Sequence, residues 1–137
     1  MPAPAATGKG NVISKQWDDA TQAVRFTVVK LSATNSKGNV GMSGATTERP
    51  YGVVLNAPTQ GSAASVQIDG KCYVVSDGTT PIAAGDELVV DSTGRVIKFA
   101  RPAAWDGTAY YTIGIAESGS AAANVLIEMT IHPLAWG

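Results

Sequence analysis

The 137-residue chain carries ten basic and eleven acidic side chains, one histidine and one cysteine. That length suits one domain, whose folding buries roughly two-thirds of the surface the unfolded chain exposes. The charges are scattered without runs, which argues against nucleic acid or an anionic membrane as partner and favours a protein surface.

In chain order, residues 1–16 mix Pro, Ala, Gly, Ser and Lys with only Val12 and Ile13 as larger apolar side chains. That is too little to fold alone, so they read as a flexible N-terminal arm ahead of a single β-rich domain over 17–137. The opening Met1-Pro2-Ala3-Pro4 has neither the charged region nor the apolar stretch of a secretory signal, and no apolar run approaches the roughly 18 residues of a membrane span. Asp18, Asp19 and Ala20 are placed to open one helical turn before Gln22. Val24, Phe26 and Val28 alternate with Arg25 and Thr27, which predicts a strand over Val24 to Leu31. Asn39 to Met42 and Tyr51 to Asn56 follow as strands.

Val66-Gln67-Ile68, Asp69-Gly70 and Lys71 to Val75 predict a hairpin about a two-residue turn, with Val66, Ile68, Tyr73 and Val75 on one face. A second hairpin, Glu87 to Asp91 with Arg95 to Phe99, closes through Ser92-Thr93-Gly94. Tyr111 to Ala116 and Asn124 to Ile131 complete the strands. Val and Ile far outnumber Leu, no window sustains a helical period, and the fold class is all-β.

The two halves resemble each other. Gly52-Val53-Val54 is echoed by Gly114-Ile115-Ala116, the segment from Gly61-Ser62-Ala63 by that from Gly119-Ser120-Ala121, and Lys37-Gly38-Asn39-Val40 by Thr93-Gly94-Arg95-Val96. A duplication implies a small β-sandwich or partly open β-barrel with two pseudo-repeated halves, its long loops at related ends.

Residues that carry chemistry are scarce. His132 stands at the end of the last strand. Cys72 lies within the first hairpin with no basic cluster to activate it, and as the only cysteine it cannot form an intrachain disulfide, so a reducing compartment is expected. One His and one Cys cannot supply the four or so ligands of structural zinc. Asp69, Asp77, Asp86, Glu87 and Asp91 stand largely where turns recruit acidic side chains, with a weak oxygen-ligand cation site as the alternative. Gly8-Lys9-Gly10 lacks the spacing of a phosphate loop. No nucleophile, base and orienting group can be assembled, so the expectation is a protein that is not an enzyme and uses no cofactor or metal. Tyr51, Trp105, Tyr110, Tyr111 and Trp136, in loops, at strand starts or near the terminus, are candidates for an oligomer or partner interface.

Tyr51-Gly52-Val53-Val54, Val66 to Gly70, Ile82-Ala83-Ala84-Gly85-Asp86-Glu87-Leu88, Asp91 to Val96 and Ile113 to Ala116, in that order, resemble the small capsid cement proteins of tailed bacteriophages. Separately, Ala104-Trp105-Asp106-Gly107-Thr108 leading to Gly114 looks like a segment of lambda-type head decoration proteins. The resemblance implies a homotrimer on the outer capsid surface of the virion, made in the host bacterial cytoplasm. It would sit at local three-fold positions of the expanded head and stabilise the shell by binding the major capsid protein. Asn11, Val12, Ile13 and Ser14 would then form a capsid-binding arm that adds a strand to the shell. The alternatives are another phage structural component, such as a tail or head fibre, and a small carbohydrate- or ligand-binding β domain using Trp105, Tyr110 and Tyr111 as a stacking platform.

Overall fold

The computed structural model describes residues 10–32 and 38–136. Ten strands form: β1 (Val12–Gln16), β2 (Val28–Leu31), β3 (Val40–Met42), β4 (Gly52–Val54), β5 (Ala63–Gln67), β6 (Gly70–Val75), β7 (Glu87–Val90), β8 (Val96–Lys98), β9 (Tyr110–Ala116) and β10 (Leu126–Trp136). They make two five-stranded antiparallel sheets, ordered β1-β5-β4-β2-β3 and β6-β10-β9-β7-β8. The fold is all-β, in keeping with a small β-sandwich rather than closed barrels. Among the described residues there is no helix, and so none long and apolar enough to cross a membrane.

The strand orders are the same once each strand of the first half is matched to its counterpart five strands later, so the repeat is a property of the fold. Register agrees pair by pair. Val53 faces Gln67 and Val54 faces Val66; Ile115 faces Thr130 and Ala116 faces Met129 in the other half. Val28 and Val29 face Val53 and Gly52, as Glu87 and Leu88 face Ile115 and Gly114. Isolated bridges repeat as well, Trp17 to Val40 and Ser76 to Val96, each tying the two edges of its sheet together at one end. The turn preceding β2 and β7 repeats too: the Phe26 N–H donates to Val54 O and the Gly85 N–H to Ala116 O, both at 2.7 Å. One part of the sequence match shifts. Gly61 corresponds to Asn124, not Gly119, since both donate to the residue after the sheet's first strand, Trp17 O and Ser76 O. Both also adopt left-handed φ, 90° and 58°.

Each sheet has its own core. Val29, Val40, Val54, Ala64 and Val66 cluster with Trp17 in the first half. Cys72, Val74, Leu88, Val90, Val96, Ala116, Ile127, Met129 and Ile131 cluster in the second, joined there by Val28 and Val53 from the first sheet. Those two valines weld the halves together, and burying each side chain contributes about 1.5–3 kcal/mol.

Several expectations are corrected. Val66 to Gly70 is not a hairpin: β5 already has β1 on one edge and β4 on the other, leaving no edge for β6. Asp69-Gly70 instead carries the chain to the second sheet, with Gly70 at φ 76°. The Gln67 side-chain amide braces that crossing by donating to Asp69 O and Lys71 O, both at 2.8 Å. The strand expected from Val24 starts only at Val28, because Phe26 sits at φ 64° and the Thr27 hydroxyl closes a turn onto Val24 O at 2.7 Å. No helical turn forms at 18–22; Asp18 N–H goes to Val40 O and the Asp19 carboxylate accepts from Met42 N–H at 2.7 Å. The hairpin Glu87 to Phe99 forms as expected, Val90 facing Val96. The expected flexible arm extends too far, since Val12–Gln16 pairs along β5 from Gln67 to Ala63. The arm's residues 1–9, and Lys37 of the repeat, lie outside the described residues.

Candidate functional site

Aromatic side chains gather where β9 and β10 run beyond the rest of their sheet. β10 continues past Ile131 through a register shift before Leu134, so that Trp136 comes to face Tyr110. Against Gly114 and Thr112 on β9, this inserts one residue around His132-Pro133, a bulge of the kind that accommodates proline. The extension brings Trp136 within 6.0 Å of the Tyr110 ring and 5.8 Å of Phe99, itself 5.8 Å from Tyr110. Arg101 lies over Trp136 at 5.9 Å and donates two hydrogen bonds of 2.8 Å to Glu87. That guanidinium holds the Glu87 carboxyl below its usual range.

The sequence-selected residues therefore divide. Tyr110 and Trp136 share one half-buried cluster with Phe99. Tyr111, beside the same strand end, lies under Arg49 at 5.5 Å instead. A groove of about 210 Å³ adjoins it, lined by Arg49, Pro50, Pro133, Leu134 and Ala135. Tyr51 is in the other half, with the Lys15 ammonium 5.6 Å over its ring. A second groove, of about 370 Å³, lies between Tyr51, Lys30, Leu31 and Glu48. Trp105 stands apart at 66% exposed. The loop after it is fixed by Asp106, whose carboxylate accepts from Thr108 N–H at 2.9 Å and Tyr110 O–H at 2.6 Å. The Tyr110 hydroxyl holds Asp106 low, and the carboxylate in turn pushes the phenol up.

Asn11 clasps the crossover. Its N–H and side-chain amide both donate to Asp69, at 2.6 and 2.9 Å, and its carbonyl accepts from Ile68 N–H at 3.0 Å. Ile13 packs on the first core, whereas Val12 and Ser14 are exposed. Because Asn11 O and Trp17 N bond towards β5, alternation along an antiparallel ladder turns the N–H groups of Val12, Ser14 and Gln16 outwards. Among the described residues β1 is thus a sheet edge with no strand on its outer side.

The remaining polar residues have local roles. Asp86 accepts from Ala83 N–H, Asp91 from Thr93 and Arg95 N–H, and Asp77 from Thr79 N–H. A hydrogen bond shared with Asp91 holds Asp77 low, with Thr79 and Arg95 adding to it. Cys72 is buried, and burial pushes its thiol up to about 12. His132 is exposed in the bulge. Among the described residues no three His, Cys, Asp or Glu side chains are grouped as metal ligands would be.

Phe99, Arg101 and Arg49 escaped the sequence analysis. Phe99 and Arg101 meet Trp136 only because β10 continues beyond Ile131, and Pro133 reads in sequence as a strand terminator. Only its compatibility with a bulge pointed the other way.

Neither a protein-family model nor a curated protein sequence matches the chain. Among solved structures, the chain is similar to one described as the N base of the head fiber gp8.5 in bacteriophage phi29. The TM-score is 0.63 at 14% identity, covering 89% of this chain and 93% of that one. At that identity the likeness is one of fold, and it extends over both halves of the duplication.

Proposed function

We propose that the chain is a structural component of a tailed-phage virion. It binds the outer surface of the expanded head and stabilises the shell as a cement protein, as a homotrimer at local three-fold positions against the major capsid protein. The observation that carries this reading is the likeness, over nearly the whole of both chains, to the base of a phage head fibre. The ordered resemblance to capsid cement proteins points to the same surface. The role is mechanical and needs no catalyst, cofactor or metal. Attachment combines two features: the outward edge of β1 at Asn11 to Ser14, which offers strand positions to an extended segment of the shell, and the exposed indole of Trp105, a rigid apolar anchor.

A second reading, the base of a head fibre, is favoured by the description of the similar structure itself. The two readings share the attachment site and differ in consequence. Purified protein added to undecorated, expanded heads binds in both cases. As cement it raises the temperature at which the heads release their DNA, whereas as a fibre base it binds without moving that temperature. Protein that fails to sediment with heads contradicts both.

A further inference from the structure

The two halves touch where the Tyr111 N–H donates to Thr46 O at 2.8 Å and Arg49 lies over the Tyr111 ring, and they are joined through a buried contact at Phe26, Val28 and Val53 whose two sides the duplication supplies a second time. On the first half the contributing surface is the turn at Phe26 with Val28 and Val53, both fully buried in the second half's core cluster. On the second half the receiving surface is Val75, whose N–H donates to Phe26 O at 3.0 Å, and Gly94, whose carbonyl accepts from Val28 N–H at 2.8 Å. Tyr73 packs edge-on to Phe26 there, and Val74 and Val90 belong to the core that Val28 enters.

By register, the counterparts of Phe26, Val28 and Val53 are Gly85, Glu87 and Ile115. Those of Val74, Val75 and Val90 are Lys15, Gln16 and Leu31. Of these counterparts Gly85, Gln16, Ile115 and Leu31 are exposed, whereas Glu87 is held by Arg101 and Lys15 lies over the Tyr51 ring. Ile115 is 38% exposed where Val53 is 0%, and Leu31 is 47% exposed where Val90 is 4%. Each chain therefore carries one used joint and, at the positions matching its two sides, an exposed Ile115 and an exposed Leu31.

We infer that these positions form a head-to-tail interface between copies of this chain, the Gly85–Glu87–Ile115 surface of one copy docking on the Lys15–Gln16–Leu31 surface of the next. The chemistry is complementary. Ile115 meets Leu31 at the apolar centre, and at its margin the Glu87–Arg101 pair and the Lys15 ammonium over Tyr51 stand where the internal joint has Val28 and Val74. The outward N–H of Gln16 repeats the bond that Val75 makes, with Gly85 O as its acceptor. Such a heterologous contact closes into a ring or runs on as a filament, according to the rotation it imposes. The inference rests on the chain's own internal joint and not on the virion reading.

The test uses the chain alone, with light scattering after size exclusion over a concentration series. Wild type is expected to form a species of several chains. Ile115→Arg and Leu31→Arg, at exposed positions, are each expected to run as single chains with unchanged melting curves. Their equimolar mixture is expected to give a two-chain species, because each variant keeps the surface the other has lost. Should either variant lose its fold, the milder Ile115→Ser and Leu31→Ser serve in its place, each weakening association with unchanged melting. Wild type that stays a single chain at its highest soluble concentration overturns the inference. So does a mixture that recovers no association, which would mark a symmetric interface. Neither result bears on whether the protein binds heads.

Discussion

Gly52 and Gly114 are counterparts in the duplicated sheet, and each sits where a neighbouring strand leaves no room for a side chain. A Cβ on Gly114 would stand 2.2 Å from Thr130 O and 2.9 Å from Met129 Cγ; on Gly52 it would stand 2.4 Å from Gln67 O and 2.8 Å from Val66 Cγ1. Carbon and oxygen settle at about 3.3 Å or more even in the favourable contacts between strands, so alanine forces the strands apart by about 1 Å. Overpacking of this kind costs about 1–3 kcal/mol, and loosening one ladder hydrogen bond adds about 1 kcal/mol. With an unfolding entropy of about 2.1 cal/mol/K per residue, each kcal/mol lowers the melting temperature of a chain this size by about 3–4 °C. Gly52→Ala and Gly114→Ala are therefore each expected to lower Tm by about 7–14 °C in a calorimetric scan. The control is Gly107→Ala, where the added carbon meets open space and only the left-handed φ of 86° is strained, expected to cost about 1 kcal/mol. If both substitutions melt no lower than the control, the strand spacing and the register equivalence drawn from it are wrong.

Further outcomes are expected. Trp105→Ala is expected to leave Tm within about 2 °C of wild type but weaken head binding at least about thirtyfold, the usual effect of removing an interface hot spot; Trp136→Ala is expected to lower Tm, since its ring packs on Phe99 and Tyr110. Ser14→Pro removes an outward N–H from the β1 edge without taking a bond from β5, so melting is expected to hold while sedimentation with heads falls. Asp77, Glu87 and Asp106 are held below their usual range in the fold. Their contribution is complete above the unfolded carboxylate range near pH 4 and is lost as pH falls through the folded values, so Tm is expected to drop between about pH 4 and pH 2. The Cys72 thiol, buried and shifted to about 12, is expected to react with a thiol reagent only at the rate of unfolding, whereas rapid labelling of native protein would contradict its burial.

The all-β class and the second hairpin were legible because β-branched alternation and a Gly-containing turn are local signals. So was the duplication, through Gly52 and Gly114, whose identity is demanded by close strand approach. The false hairpin at Asp69-Gly70 shows the limit of local reading. Its turn residues suit a hairpin, but β5 was already paired on both edges by β1 and β4, and that competition is decided by distant segments. The arm misled for the same reason: Val12 and Ile13 are too few to fold alone, yet β5 supplies a strand for them to pair with. Of the interface candidates, Tyr110 and Trp136 were selected separately, and only the bulge at His132-Pro133 brings them together. Phe26 was read as an alternating strand residue, although its left-handed turn, matched by Gly85 in the other half, ends the strand early.

The most direct test of the virion reading is cryo-electron microscopy of undecorated, expanded phage heads after incubation with the purified protein. Ordered density on the outer surface at local three-fold positions, into which both five-stranded halves fit with the β1 edge and Trp105 towards the shell, is the predicted result. Heads that remain bare beside demonstrably folded protein would contradict the account.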